Sequence, residues 1–217
     1  MPPQATGLMP VVALAVTGAL LGIVADRIAA RWPSHEGGKV RAPDWRSIAL
    51  VVTGALCFGA LALRWPEGWQ LAVLVPYFAL LLLLMAIDLD QRLLPDILTL
   101  PLIPIAGVLL LLGLDPLLAG KDLALVSGIA AAIGAPLFLL ITNAVLKGGV
   151  GGGDVKLAVG LGLMSGVSRL LSGFFIASAA SSVVLIALLL SRRVGRRSPI
   201  PFGPILIVGA MIAALLA

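Results

Sequence analysis

The sequence predicts an all-α fold: a polytopic bundle of about eight transmembrane helices, forming a single membrane domain over residues 1–217. Three observations carry this expectation. The chain is 60% hydrophobic and only 12% charged, with a mean hydropathy of +1.15, whereas a soluble chain is about half apolar and a quarter charged. Apolar runs of about 18 or more residues recur along it, each long enough to cross a bilayer. Basic residues gather in alternate connecting segments, as the positive-inside rule requires. The lipid bilayer is therefore the first expected partner.

The first span is predicted over Leu8–Ala30. Met1 to Leu8 lacks the basic start of a signal peptide, so this run is read as a retained helix. A polar loop, Arg31 to Arg46, follows with Lys39, Arg41 and the single histidine, His35. The second span covers Ser47–Leu63 and the third Trp69–Ile87, with Arg64, Pro66 and Glu67 between them. Asp88 to Asp96 forms the next loop. The fourth span, Ile97–Leu114, carries Pro101 and Pro104 near its start, and Asp115 to Asp122 links it to the fifth, Leu123–Leu146.

A glycine-rich segment, Lys147 to Lys156, precedes a short sixth run, Val155–Met164. At 1.5 Å per residue that run gives roughly 15 Å of helix. It crosses the core only if it extends through Arg169 or starts below the membrane surface. The seventh span is Leu170–Leu190. A basic loop with Arg192, Arg193, Arg196 and Arg197 leads to the eighth, Ile200–Leu216.

Loops 31–46, 88–96, 147–156 and 191–199 hold Arg31, Lys39, Arg41, Arg46, Arg92, Lys147, Lys156 and the four arginines just named. The other loops hold only Arg64, Lys121 and Arg169. Eleven against three puts the first set in the cytoplasm and both termini outside. Trp32, Trp45, Trp65 and Trp69 all fall at span ends, where amphipathic rings favour the interface. The net charge of +5 reports this orientation, and no nucleic-acid partner is expected. Cys57 has no second cysteine for a disulfide or a zinc site, and no metal or cofactor is expected. Gly18 with Gly22, and Gly162 with Gly166, have the four-residue spacing of close-packing helix faces.

Chemistry is expected from acids at the membrane boundary, because charge beside hydrocarbon is costly and tends to be functional. Asp88 ends the apolar run Leu71 to Ile87, and Asp154 precedes another. The orientation argument puts both on one face of the membrane, where two carboxylates make a general acid and base for activating water. Taken singly, each has a plainer role: Asp88 as a polar helix end, Asp154 as an N-cap. Asp90 pairing with Arg92, and Asp96 capping the fourth span, are the plainer readings of those two acids. Five of the six residues from Gly148 to Gly153 are glycine. The phosphate-loop pattern fails, since Asp154 and Val155 stand where Lys and Ser or Thr belong. A hinge that lets Asp154 approach a substrate backbone fits better.

Gly151-Gly152-Gly153-Asp154-Val155-Lys156-Leu157 resembles the G-x-G-D-x-K-L motif of the type IV prepilin peptidases, which are bacterial membrane aspartyl proteases. Asp88 to Pro101 resembles their second signature, an Asp seven residues before Pro-Asp, here Pro95-Asp96. Pro199 to Pro204 resembles the element before their last helix. The matches come in the family's order and cover about residues 70–217.

The resemblance implies cleavage of the short basic leader from pilin or pseudopilin precursors at the cytoplasmic face of the inner membrane, serving a pilus or a secretion system. It implies Asp88 and Asp154 as the catalytic pair, with Gly151, Gly153, Lys156, Asp90, Pro95 and Asp96 shaping the loops or binding substrate. Asp90 and Asp96 would attract the basic leader. Bifunctional members carry a Cys-x-x-Cys domain between the first two spans and also N-methylate the product. Here that segment is only 31–46 and has no cysteine, so peptidase activity without methylation is expected. The helix dipole favours an anion at Asp154 and disfavours one at Asp88, so Asp88 is expected to hold the shared proton. Rival readings are a transporter or proton relay, for which Asp26 is the only acid inside a span, and an inactive assembly scaffold. A presenilin-like protease lacks support, because Ile87 precedes Asp88 where that group has Tyr.

Overall fold

The computed structural model describes residues 7–33, 41–145, 151–190 and 203–216, without the side chains of 184, 185 and 187–190. His35, Lys39, Lys147, Gly148 and the four arginines of 191–199 lie outside the described residues, as does most of the Pro199 to Pro204 element. Among the described residues every regular element is helical: α1 (Leu8–Ala29), α2 (Trp45–Arg64), α3 (Gly68–Gln91), α4 (Asp96–Leu111), α5 (Ala124–Val145), α6 (Gly152–Leu190) and α7 (Gly203–Leu215). Five are long and apolar enough to cross a membrane: α1, α2, α3, α5 and the Gly152–Val183 stretch of α6. The shorter α4 and α7 are apolar too. The large apolar residues Ile48, Leu56 and Leu63 face outward on α2, as lipid-facing positions do. The chain is a multi-pass membrane protein.

Two compact units divide it, Met1–Leu98 and Thr99–Ala217. In the first, α1 and α2 pack through glycine. A Cβ on Gly18 would overlap the Gly54 carbonyl, and one on Gly22 the backbone at Leu50. Lipid gives helices no hydrophobic reason to associate, so such close backbone contact supplies the packing energy. Phe58 of α2 meets Phe78 of α3 edge to face at 6.2 Å, among the fully buried Leu50, Leu61, Leu74 and Leu81. Asp44 caps α2: its carboxylate accepts the Arg46 N–H at 2.9 Å, and Ser47 Oγ accepts the Asp44 N–H at 3.2 Å.

In the second unit α5, α6 and α7 pack together around Leu157, Leu161 and Ile207. The sixth and seventh expected spans are not separated by a loop. One 39-residue helix covers both and breaks its geometry at Gly166 alone, with φ 66° and ψ 177°. Only glycine takes that conformation without a steric cost. The Val167 N–H freed by the break donates to Ser127 Oγ at 3.0 Å. A Cβ on Gly162 would meet the α5 backbone at Ala131, and one on Gly173 the carbonyl of Gly209 in α7. Both predicted glycine pairs thus lie at helix contacts, Gly166 through its break. The third span runs four residues beyond its expected end, to Gln91, which makes Asp88 and Asp90 helical.

Candidate active site at two helix ends

Asp88 sits in the last turn of α3 and is 5% exposed. Its backbone carbonyl accepts the Arg92 N–H at 2.9 Å, and Arg92 closes the helix in the left-handed region at φ 55°. Pro95 follows, its carbonyl accepting the Leu98 N–H at 3.0 Å. Asp96 opens α4 and is exposed.

Asp90 occupies a different setting from the one expected. It pairs with Arg46 at 2.7 Å and with Arg41 at 2.8 Å, and its side chain is 4% exposed. That carboxylate is enclosed by the two guanidinium groups. Arg41 also pairs with Asp44 at 2.5 Å and with Asp26. Asp26, only 1% exposed, further accepts from Arg27 and from Ser47 Oγ at 2.7 Å. It lies one turn from the end of α1 and is committed to arginines, which removes the mid-span acid that a proton relay needs. Gln91 Nε2 donates to the Ala29 carbonyl at 2.9 Å. The end of α1, the start of α2 and the end of α3 therefore meet, in agreement with loops 31–46 and 88–96 lying on one face.

Burial raises the Asp44 carboxyl, but the Arg46 N–H and the charges of Arg41 and Arg46 outweigh it and hold the group below its ordinary range. This network was missed in the sequence, where the loop arginines read only as orientation charges. The Asp26-Arg27 pair at a span end was the available signal.

Asp154 is the third residue of α6 and is 9% exposed. It is not the N-cap of the plainer reading. Its Oδ2 reaches back to accept the Gly151 N–H at 3.1 Å, the reciprocal half of a capping box. A Cβ at residue 151 would lie 3.3 Å from that same oxygen, so glycine keeps the approach open. Gly153 and Lys156 lie on this first turn and a half, both half-buried. Ala158 and Leu161, four and seven residues on, share the Asp154 face of α6. They line an apolar cavity of about 330 Å³ with Ala131, Gly134, Phe138 and Phe174.

A further acid, Asp115, escaped the sequence reading because it sits in a connecting loop. It is 1% exposed and accepts the Leu117 N–H at 2.9 Å. Burial pushes its carboxyl up to about 7, against the pull of that N–H and of the Arg169 and Lys121 charges. Among the described residues, no group of three His, Cys, Asp or Glu side chains is placed to hold a metal ion.

The sequence profile of the type IV leader peptidase family matches residues 75–187, a stretch that contains both Asp88 and Asp154. A prepilin leader peptidase/N-methyltransferase of Bacillus subtilis is 32% identical over 168 residues, covering 77% of this chain and 64% of that protein. The Burkholderia pseudomallei protein of the same description is 38% identical over 164 residues, covering 73% and 50%. That of Xanthomonas campestris is 31% identical over 186 residues, covering 84% and 62%. The chain thus spans between half and two thirds of the length of these relatives. No solved structure is a significant match.

Proposed function

The chain belongs to the type IV leader peptidase family, and from that premise we propose that it removes the short basic leader from type IV pilin or pseudopilin precursors at the cytoplasmic face of the bacterial inner membrane. The observation that carries this reading is a pair of buried carboxyls inside the family match, each at the end of an apolar helix. Buried acids at a membrane boundary are costly and tend to be functional, and the arginine network described above is built on other acids, Asp26, Asp44 and Asp90.

Asp88 and Asp154 act as the dyad. One carboxylate takes a proton from water as the water oxygen attacks the scissile carbonyl, and the other, protonated, donates to the carbonyl oxygen. Collapse of the tetrahedral intermediate breaks the C–N bond, and the departing amine takes up a proton. The helix start and the Gly151 N–H favour the Asp154 anion, while burial opposes it. The shared proton is accordingly assigned to the pair, not to Asp88 alone. Gly151 and Gly153 leave room beside Asp154 for a substrate backbone. Exposed Asp96 draws the basic leader, Pro95 sets the turn before it, and Lys156 lies near the Asp154 anion.

We treat residues 1–217 as one peptidase domain with about eight spans and both termini outside. Counting α6 as two segments about Gly166, together with the short α4 and α7, supports that number, and the loop charges support the orientation. The segment 31–46, without cysteine, replaces a methyltransferase insert, so no methyl transfer is assigned to the chain.

The test is cleavage of a synthetic prepilin by the purified protein in liposomes, read by mass spectrometry of the new N-terminus with a labelled methyl donor present. Removal of the leader without label uptake is expected. An uncut precursor contradicts the peptidase assignment, and a labelled product contradicts the second part. A leader with its basic residues changed to acidic ones is expected to raise KM.

A further inference from the structure

Asp88 and Asp90 are two residues apart on a helix, about 200° around the axis, so they face away from each other. What lies behind Asp88 is therefore what holds Asp90. Arg46 of α2 and Arg41 of the preceding loop both grip its carboxylate, at 2.7 and 2.8 Å. Arg41 is itself anchored by Asp26 of α1 and by Asp44 at 2.5 Å. The next residue, Gln91, ties the same turn to the Ala29 carbonyl of α1, and Arg92 closes it onto the Asp88 carbonyl at 2.9 Å. Each residue following Leu89 in this turn is thus fixed to a neighbouring element or to the helix end.

The charges facing this turn are Asp26 and Arg27 from α1, Arg41 and Asp44 from the loop, Arg46 from α2, and Asp90 and Arg92 on α3 itself. Three acids meet three arginines inside the network, and Arg92 points to solvent. The network is balanced as a set. A buried ion pair adds little to stability over an apolar contact, but removing one partner leaves an uncompensated charge. Its value here is geometric and electrostatic.

We infer that Asp90, Arg41 and Arg46 form a positioning clasp for Asp88, fixing the rotation of the last turn of α3 and holding the net charge beside it near zero. The inference rests on the reading of Asp88 as one of the two reacting carboxyls. The three clasp residues are positioning residues. They act through the placement and charge environment of Asp88.

The experiment uses the full chain in liposomes with a synthetic prepilin, comparing wild type, Asp90→Asn, Arg46→Gln, Arg46→Lys, the double variant Asp90→Asn/Arg46→Gln, and Asp88→Asn. Rates are taken per folded protein, and activity is followed against pH. Asp90→Asn is expected to lower kcat by about ten- to a hundredfold, with KM within about twofold. It leaves the arginines in excess, so the activity profile moves to lower pH. Arg46→Gln leaves Asp90 under-balanced, so the profile moves to higher pH, and Arg46→Lys restores the wild-type profile. In the Asp90→Asn background, Arg46→Gln removes the excess charge, so the profile returns toward wild type while kcat falls little further, because the two act as one unit in positioning.

Profiles that superimpose on wild type after scaling overturn the clasp, since loss of folded protein scales activity equally at every pH. An Arg46→Gln loss of kcat of the same size in both backgrounds overturns it too. If Asp90→Asn does not fold, the half-exposed Arg46 carries the test through its Gln and Lys variants. Inactive Asp88→Asn with unshifted clasp profiles defeats the clasp alone. Active Asp88→Asn defeats the dyad and the clasp with it.

Discussion

Asp88 lies in the last turn of α3 and Asp154 in the first turn of α6, and the two turns are secured by different means. The α3 end is held by side chains: Asp90, Gln91 and, through them, two arginines and a carbonyl from other elements. The α6 start is held by its own backbone, with Asp154 folded onto the Gly151 N–H. A helix C-terminus repels an anion and offers it no N–H donors, so an acid there needs neighbouring charge to be kept in order. A helix N-terminus supplies donors itself and needs only small residues around it. The comparison teaches that ion pairs are spent where the backbone gives no help.

Removing Arg41 breaks that arrangement most severely. Arg41→Gln leaves Asp26, Asp90 and Asp44 short of one shared cation. A loss of about 3–5 kcal/mol is expected for breaking a buried pair, read as a lower unfolding midpoint in detergent.

Asp115 sharpens the contrast, being a buried carboxyl with no arginine at ion-pair distance among the described residues. Its folded-state value, about 7, is above the ordinary carboxylate value. The folded state therefore binds the extra proton, and stability falls as pH rises from about 4 to about 7. Asp115→Asn is expected to flatten that slope and to gain up to about 4 kcal/mol at pH 8. An unchanged slope in thermal unfolding across pH 4–8 contradicts the burial argument.

Smaller effects follow from the glycines. Gly54→Ala forces a Cβ onto the Gly18 carbonyl and is expected to cost about 1–3 kcal/mol. Gly107→Ala, where a Cβ meets nothing within 4 Å, should be neutral or gain about 0.5–1 kcal/mol. Equal effects of the two on unfolding contradict the glycine packing of α1 on α2. Gly151→Ala presses a methyl toward Asp154 Oδ2 and is expected to slow cleavage only a few-fold, with the folded state unchanged.

Hydropathy made most of the fold legible. The expected bounds of the first, second and fifth spans fall within two residues of α1, α2 and α5. The short run ending at Met164 and the charge of Arg169 suggested a loop where a single left-handed glycine suffices, because a neighbouring serine repairs the hydrogen bond. The burial of Asp88 and Asp154 at helix ends was legible from their position against apolar runs. The partners of Asp90 were not. Arg46 lies 44 residues away in sequence, and a nearby Arg92 offered a local answer. Asp115 was hidden because loop composition carries no burial signal.

The central claim is that two carboxylates, one from each of these turns, cut the leader. It is tested most directly by cleavage of one synthetic prepilin in liposomes by wild type, Asp88→Asn and Asp154→Asn. Loss of cleavage by about a thousandfold or more in each variant, with folding retained, is the predicted result. Cleavage at the wild-type rate by either variant would contradict the account.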